Sequence, residues 1–326
     1  MARAEFAILG AGAIGSIIAA HLARAGHSVV LLARGARARE LERSGLRIRG
    51  LSEISVHVPV LTEPAELGSA EVLVVAMKTP GTAAALEPLR GLELGVALSI
   101  QNGVLKDDLL SEAFGEERVL GALANTSGEV LPSGEVLFTR NVSLPIGELA
   151  GGMSARAERI AAAIDGAGIR SSAVADILPR EWSKFASWLA LAGLAVTTRS
   201  ATWCYLSDPD CAALIVRLVR EAVLLARAEG VALTDEGALL PLGTLAARSE
   251  EEAVAIVRRA GEEFRAGAPG HRMSALQDLE AGRALEIEET FGDAVRRAAR
   301  LKLSLPLLET FHRLCAAIDR TRRAGA

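Results

Sequence analysis

The sequence is poor in the residues that build disulfide frameworks, zinc centres and nucleic-acid platforms. Three cysteines, Cys204, Cys211 and Cys315, occur in 326 residues. Their number is odd and no pair has Cys-x-x-Cys spacing, which argues against a disulfide scaffold and against structural zinc. A reducing cytoplasm is the simplest compartment. The five histidines are scattered without metal-ligand spacing, so no metal is expected. Aromatic residues make up 3 % of the chain, too few for base-stacking platforms. A net charge of −4 gives no reason to expect a nucleic-acid partner. Lysine is nearly absent, occurring only at positions 78, 106, 184 and 302. Arginine supplies the general positive charge, so each lysine draws attention as an ammonium whose pKa can be tuned.

Long apolar runs are missing too. Phe6 to Ala20 is apolar and small, but Gly10, Gly12 and Gly15 interrupt it. A strand and a glycine turn explain it better than a signal peptide. Trp188 to Val196 falls well short of the ~20 residues of a membrane span and reads as a buried helix, so no membrane association is expected. Half the residues are nevertheless apolar, enough for sizeable cores, and the length suggests roughly two domains.

Short apolar strands alternate with helices in the first half. Strands are expected at 5–9, 27–33, 72–76, 95–100 and 119–124, with helices from Ala13, Thr82 and Lys106. That alternation implies an α/β, doubly wound, mainly parallel sheet. Glu135 to Thr139 and Val142 to Ile146 flank Arg140-Asn141 and look like a hairpin. From about Ile177 long helical patterns take over, at 180–198, 208–229, 235–246, 249–264, 274–299 and 304–322. Ser249 followed by Glu250, Glu251 and Glu252 reads as an N-cap with acids in the first turn. The expected domains are 1–176, nucleotide-binding, and 177–326, helical and catalytic.

Gly10-Ala11-Gly12-Ala13-Ile14-Gly15 sits between a strand and a helix. Its glycines suit a tight turn, close approach of a pyrophosphate, and close packing of helix on strand. The helix N-terminus offers free N–H groups to phosphates. The chain after the second strand reads Ala33-Arg34-Gly35, where an NAD site usually has an acid. Arg34 suits a 2′-phosphate and favours NADPH (NADP) as cofactor; a solvated loop arginine is the plain alternative. Two more turns follow strands at the carboxyl edge, Met77-Lys78-Thr79-Pro80 and Gln101-Asn102-Gly103. Lys78 could reach cofactor phosphates or ribose, and the Asn102 amide could serve nicotinamide or substrate. A surface lysine and an Asn-Gly turn are the equally open readings.

In the helical half Lys184 enters the apolar helix Phe185 to Val196. Partial desolvation there would lower its pKa toward that of a useful acid, whereas a snorkelling lysine needs no function. Glu286 lies three residues after Arg283, a spacing that an exposed helix would use for an ion pair. Periodicity does not separate these readings.

The order of motifs resembles the ketopantoate reductase (2-dehydropantoate 2-reductase) family. The residues that carry the likeness are Ile8 to Gly15, Val75-Ala76-Met77-Lys78-Thr79, Gln101-Asn102-Gly103-Val104, Trp182-Ser183-Lys184-Phe185, and Ser274-Ala275-Leu276-Gln277-Asp278 through Arg283 and Glu286 to Gly292. The resemblance implies an N-terminal Rossmann domain, an all-α C-terminal domain, and reduction of ketopantoate or a related 2-oxo acid by NADPH, as in pantothenate biosynthesis. It implies Lys184 as proton donor and Glu286 as orienting group, both catalytic. It places Ser274 on the substrate carboxylate, and Asn102 beside nicotinamide and substrate. Lys78 and Arg34 would contact the cofactor with Gly10, Ala11, Gly12, Ala13, Ile14 and Gly15. A cytoplasmic enzyme is implied, and a homodimer is among the assemblies it allows. One departure stands out. The family commonly carries asparagines one and two helical turns after the lysine, and this chain has Trp188 and Ala192 there. That puts ketopantoate itself in doubt, in favour of another carbonyl or an imine. A non-catalytic NADPH sensor is the rival from a different class.

Overall fold

The computed structural model describes residues 2–236 and 238–324. It divides into two compact units, Met1–Asn102 with Lys106–Leu178, and Gly103–Leu105 with Pro179–Ala326.

The first unit runs β1 (Ala2–Leu9), α1 (Ala13–Arg24), β2 (Val29–Leu32), α2 (Gly35–Ser44), β3 (Leu46–Gly50), β4 (Ile54–Val56), β5 (Val60–Leu61), β6 (Leu67–Val75), α3 (Thr82–Leu86), β7 (Glu93–Ser99), α4 (Leu105–Phe114), β8 (Val119–Ala122), β9 (Thr126–Val130), β10 (Val136–Asn141), β11 (Leu144–Glu148), α5 (Ala155–Gly166) and β12 (Ser171–Ala173). Eight strands form one sheet in the order β12-β11-β8-β7-β6-β1-β2-β5. Every neighbouring pair is parallel except β8 with β11. The central strands are continuous apolar runs because both faces are covered. Along β1, Phe6 and Ile8 join a core with Ile17, Ile18 and Leu22 of α1 and Ile160 and Ile164 of α5. Ala7 and Leu9 point the other way, toward Leu86, Leu110 and Phe114 of α3 and α4. Helices thus cover both sides of a mainly parallel sheet, the doubly wound arrangement expected.

The order reverses at β1. The chain leaves β1 through α1 to β2 on one side, and later returns to β6 on the other. Such a switch point opens a crevice at the carboxyl ends of the two strands. The glycine turn follows β1 there, and Met77 to Pro80 follows β6.

A second sheet, in the order β4-β3-β10-β9, was not legible beforehand, and it overturns the hairpin expected around Arg140-Asn141. β10 pairs with β9 and β3, while β11 pairs with β8 and β12 in the large sheet. The hairpin is β9–β10, and its turn lies at Pro132-Ser133-Gly134, where Gly134 has φ +81°. That stretch has the proline and positive-φ glycine of a tight turn.

The second unit consists of α6 (Ile177–Thr198), α7 (Thr202–Ser207), α8 (Pro209–Ala228), α9 (Leu242–Ala247), α10 (Glu250–Gly267), α11 (Ser274–Glu280), α12 (Phe291–Arg300) and α13 (Pro306–Ala324), the first two residues of α6 belonging to the other unit. Ser249 and Glu252 form a reciprocal capping box at α10, as the acidic run suggested. Two expected helices are shorter. The one expected at 235–246 reduces to α9, which begins only after Pro241, and its Gly237 lies outside the described residues. The one expected at 274–299 splits into α11 and α12. Gly282, with φ +74°, ends α11 in a Schellman turn: its N–H donates to the Leu279 carbonyl, and the Arg283 N–H donates to that of Asp278. Among the described residues no helix is long and apolar enough to cross a membrane.

One buried group makes stability pH-dependent. His21 of α1 is 2 % exposed. Its Nδ1–H donates to the Ala167 carbonyl at 2.9 Å, and its Nε2 accepts from the Ser52 hydroxyl at 2.9 Å. Burial holds its pKa below 6.5. The unfolded chain therefore takes up a proton that the fold refuses, and stability is lost as pH falls below that value. Thermal unfolding at about pH 7.5 and about pH 5.5 is expected to show the lower midpoint in acid, with a smaller difference in His21→Gln. Equal midpoints in the wild type would contradict this.

Candidate active site

The glycine turn is shaped by backbone contact. Gly10 has φ +113°, and a Cβ there would lie 2.5 Å from the Met77 nitrogen. A Cβ on Gly15 would lie 2.1 Å from the Gly10 carbonyl oxygen. Both positions need glycine to bring α1 and the end of β6 against β1. Gly12 differs: a Cβ there would meet only the Ala76 carbonyl oxygen, at 3.9 Å. It is exposed. It stands as N-cap of α1 without a capping side chain, and no acid lies in the first turn. The helix end is left open, and its free donors and positive dipole end suit an anion.

Arg34 is exposed at the end of β2 and is the N-cap residue of α2. Its neighbour Arg37 has a different task, which sequence reasoning did not separate. Its guanidinium donates to the Ala11 carbonyl at 3.1 Å, Ser16 Oγ at 3.1 Å, the Gly134 carbonyl at 2.7 Å and the Glu40 carboxylate at 2.8 Å. Arg37 thus ties the glycine turn to α1, α2 and the β9–β10 hairpin. The only advance sign was its place three residues before Glu40, a helix pairing distance. Lys78 is exposed on the turn after β6, and Asn102 is half-buried after β7. The structure therefore brings Gly10 to Gly15, Arg34, Lys78 and Asn102 to the carboxyl edge of one sheet.

In the helical unit α6 is buried almost all round. From Glu181 to Val196, Lys184 is the one residue that is not buried. Two serines flank it. Ser183 Oγ accepts from the Thr234 N–H at 2.9 Å, and Ser187 Oγ accepts from the Leu239 N–H at 3.1 Å. They pin the segment before α9 along α6. Trp188 and Ala192, one and two turns beyond Lys184, are buried, and the Trp188 ring lies 6.3 Å from that of Phe291.

Glu286 is also buried, but not on a helix. It lies in the stretch between α11 and α12, anchored where the Leu285 N–H donates to Asp319 and the Thr290 hydroxyl donates to the Glu286 carbonyl. This removes the helical Arg283–Glu286 pairing considered above: Arg283 pairs with Asp278 instead, at 2.7 Å. Burial, with the carboxylates of Glu286 and Glu288 nearby, raises the pKa of Glu289. Ser274 is half-buried as the first residue of α11. The Trp188–Phe291 ring contact links α6, which carries Lys184, to the start of α12, five residues beyond Glu286. Thiol chemistry has little footing among the groups that shift: burial pushes Cys315 up to about 12 and Cys211 up to about 11.

Two family models match the chain. Ketopantoate reductase PanE/ApbA covers residues 6–151, and its C-terminal partner covers residues 176–319. The chain belongs to the ketopantoate reductase family. Relatives within that family include a 2-dehydropantoate 2-reductase of Mycobacterium tuberculosis, 31 % identical over 318 residues, covering 95 % of this chain and 96 % of the relative. One of Archaeoglobus fulgidus is 28 % identical over 312 residues, covering 96 % and 97 %. Among solved structures, a PanE/ApbA family ketopantoate reductase from Ralstonia eutropha JMP134 superposes with a TM-score of 0.82 at 25 % identity, covering 99 % of this chain and 100 % of that one.

The glycine geometry separates two substitutions. Gly15→Ala forces a methyl into backbone and is expected to destabilise the protein by about 3 kcal/mol. Gly12→Ala is expected to stay within about 1 kcal/mol of wild type. Thermal or urea unfolding measures both, and equal losses would refute this account of the turn.

Proposed function

We propose that this chain is an NADPH-dependent reductase of a 2-oxo acid, of the 2-dehydropantoate 2-reductase type. The observation that carries the reading is the open N-terminus of α1, where Gly12 leaves room that the protein itself does not fill. In this reading residues 1–176 bind the cofactor and residues 177–326 act on the substrate. Gly10 to Gly15 hold the pyrophosphate on free N–H groups. Arg34, exposed and without a side-chain partner among the described residues, takes the 2′-phosphate, while Arg37 is committed to the fold. Lys78 contacts the cofactor, and Asn102 holds nicotinamide and substrate. Bound NADPH supplies the hydride.

The chain's own acid is Lys184. Its ammonium stabilises the charge that develops on the carbonyl oxygen and then protonates it. Ser274 binds the substrate carboxylate, and buried Glu286 orients the reacting groups. A homodimer in the cytoplasm is the setting proposed for it.

A second reading of the substrate has its own support. Trp188 packs on Phe291 and Ala192 is buried, so no amide continues the Lys184 face of α6. Each lost hydrogen bond weakens a hydroxylated substrate by ~1 kcal/mol. That favours a different carbonyl or an imine with a less polar side chain.

NADPH oxidation with a panel of 2-oxo acids, ketopantoate included, tests the reaction and names the substrate. Binding of NADPH without turnover across the panel would leave a sensor in its place. Lys184→Ala is expected to lower kcat by about a hundredfold or more while NADPH still binds; wild-type turnover in that variant would remove the assigned acid. Arg34→Asp is expected to raise the KM for NADPH about tenfold to a hundredfold and to leave that for NADH nearly unchanged. Parallel changes for the two cofactors would show that Arg34 does not read the 2′-phosphate.

A further inference from the structure

We infer that Gln101 is a positioning residue which clamps the turn carrying Lys78 to the turn carrying Asn102, so that the two respond to the cofactor as one element. The inference rests on the reading of that sheet edge as the NADPH site.

The side chain of Gln101 is buried at 8 % exposure, and its amide is occupied on both ends. Nε2 donates to the Met77 carbonyl at 3.0 Å and to Thr82 Oγ1 at 2.7 Å. Oε1 accepts from Ser99 Oγ at 3.0 Å. The amide orientation is fixed by chemistry, since a carbonyl can only accept. Thr82 Oγ1 in turn donates to the Thr79 carbonyl at 2.7 Å. The chain of bonds therefore starts at the last residue of β7, passes through Gln101, and closes the turn Met77-Lys78-Thr79-Pro80 from both its ends. Lys78 is the exposed residue inside that closed turn, and Asn102 is the residue next to Gln101.

No residue but glutamine or a close analogue supplies this pattern. The site needs two donors on one atom and an acceptor on the other, at the reach of a three-carbon chain. Glutamate brings acceptors against the Met77 carbonyl. Asparagine is a methylene short. A buried network of this kind holds its members in one arrangement because each alternative leaves a polar atom unpaired. If the clamp is lost, the fold has the β6–β7 ladder to sustain it, but the Lys78 turn loses its fixed distance from Asn102.

The test is a fluorescence titration of NADPH against wild type, Lys78→Ala, Gln101→Met, Thr82→Val and the double variant Lys78→Ala/Gln101→Met, with folding followed by circular dichroism. Gln101→Met and Thr82→Val keep size and remove the bonds. Each is expected to raise the NADPH Kd about tenfold in a folded protein. In the double variant the loss is expected to be smaller than the sum of the two single losses, because Gln101 acts in part through the Lys78 turn. A Kd within twofold of wild type in Thr82→Val and Gln101→Met, or additive losses in the double variant, would overturn the clamp. If Gln101→Met does not fold, Thr82→Val, paired with Lys78→Ala, decides alone by the same criteria. Absence of NADPH binding in the wild type removes the underlying site and this inference with it, whereas tight binding by the wild type with unaffected clamp variants removes the inference only.

Discussion

The approach of Gly10 to Met77 is the constraint on which the rest of the first unit depends. The backbones after β1 and β6 come so near that a single Cβ at Gly10 would sit inside contact distance of the Met77 nitrogen. That nearness sets where α1 can start and closes the crevice floor at the switch point of the sheet. Gly15 repeats the demand one turn into the helix, against the Gly10 carbonyl. Gly12 alone is relieved of it. Two glycines of the turn are consumed by packing and the third is left open, and that room is what the proposed cofactor site would use.

The helical unit solves a different problem, that of presenting polar groups from a nearly all-buried helix. α6 does so by placing serines on either side of Lys184 and using their hydroxyls to receive the backbone N–H groups of a non-helical segment. A buried backbone donor needs a partner, and the serines provide it without a charge. Glu286 is presented by another device, a helix stopped by Gly282 and a following segment held by Asp319. Both devices rely on irregular backbone whose polar groups are satisfied by side chains.

Much of this was legible in the sequence, for physical reasons. The doubly wound sheet follows from apolar runs that must be buried on two faces, and the capping box of α10 from Ser249 and Glu252. What was missed has reasons as well. The small sheet consists of short strands with mixed burial, such as Leu46–Gly50, where period-two alternation is too brief to read. The stretch 274–299 forms two helices, not one, because the apolar spacing that suggests a single helix runs past Gly282, whose positive φ breaks it. Arg37 and Gln101 could be named from the sequence, but their partners lie far along the chain, at Gly134 and at Met77 and Thr82, and periodicity carries no information at that range.

The division of labour between two nearby arginines bears on how such a protein can change. Arg37 is woven into the glycine turn, α1, α2 and the β9–β10 hairpin, so replacing it disturbs all four at once. Among the described residues the Arg34 side chain ties down no other part of the fold: it is exposed, and its helix starts on its backbone without help from its side chain. Position 34 can therefore be rewritten at little structural expense, by selection or in the laboratory. The molecule keeps its adjustable residue and its indispensable one three positions apart, so that altering the first leaves the scaffold intact.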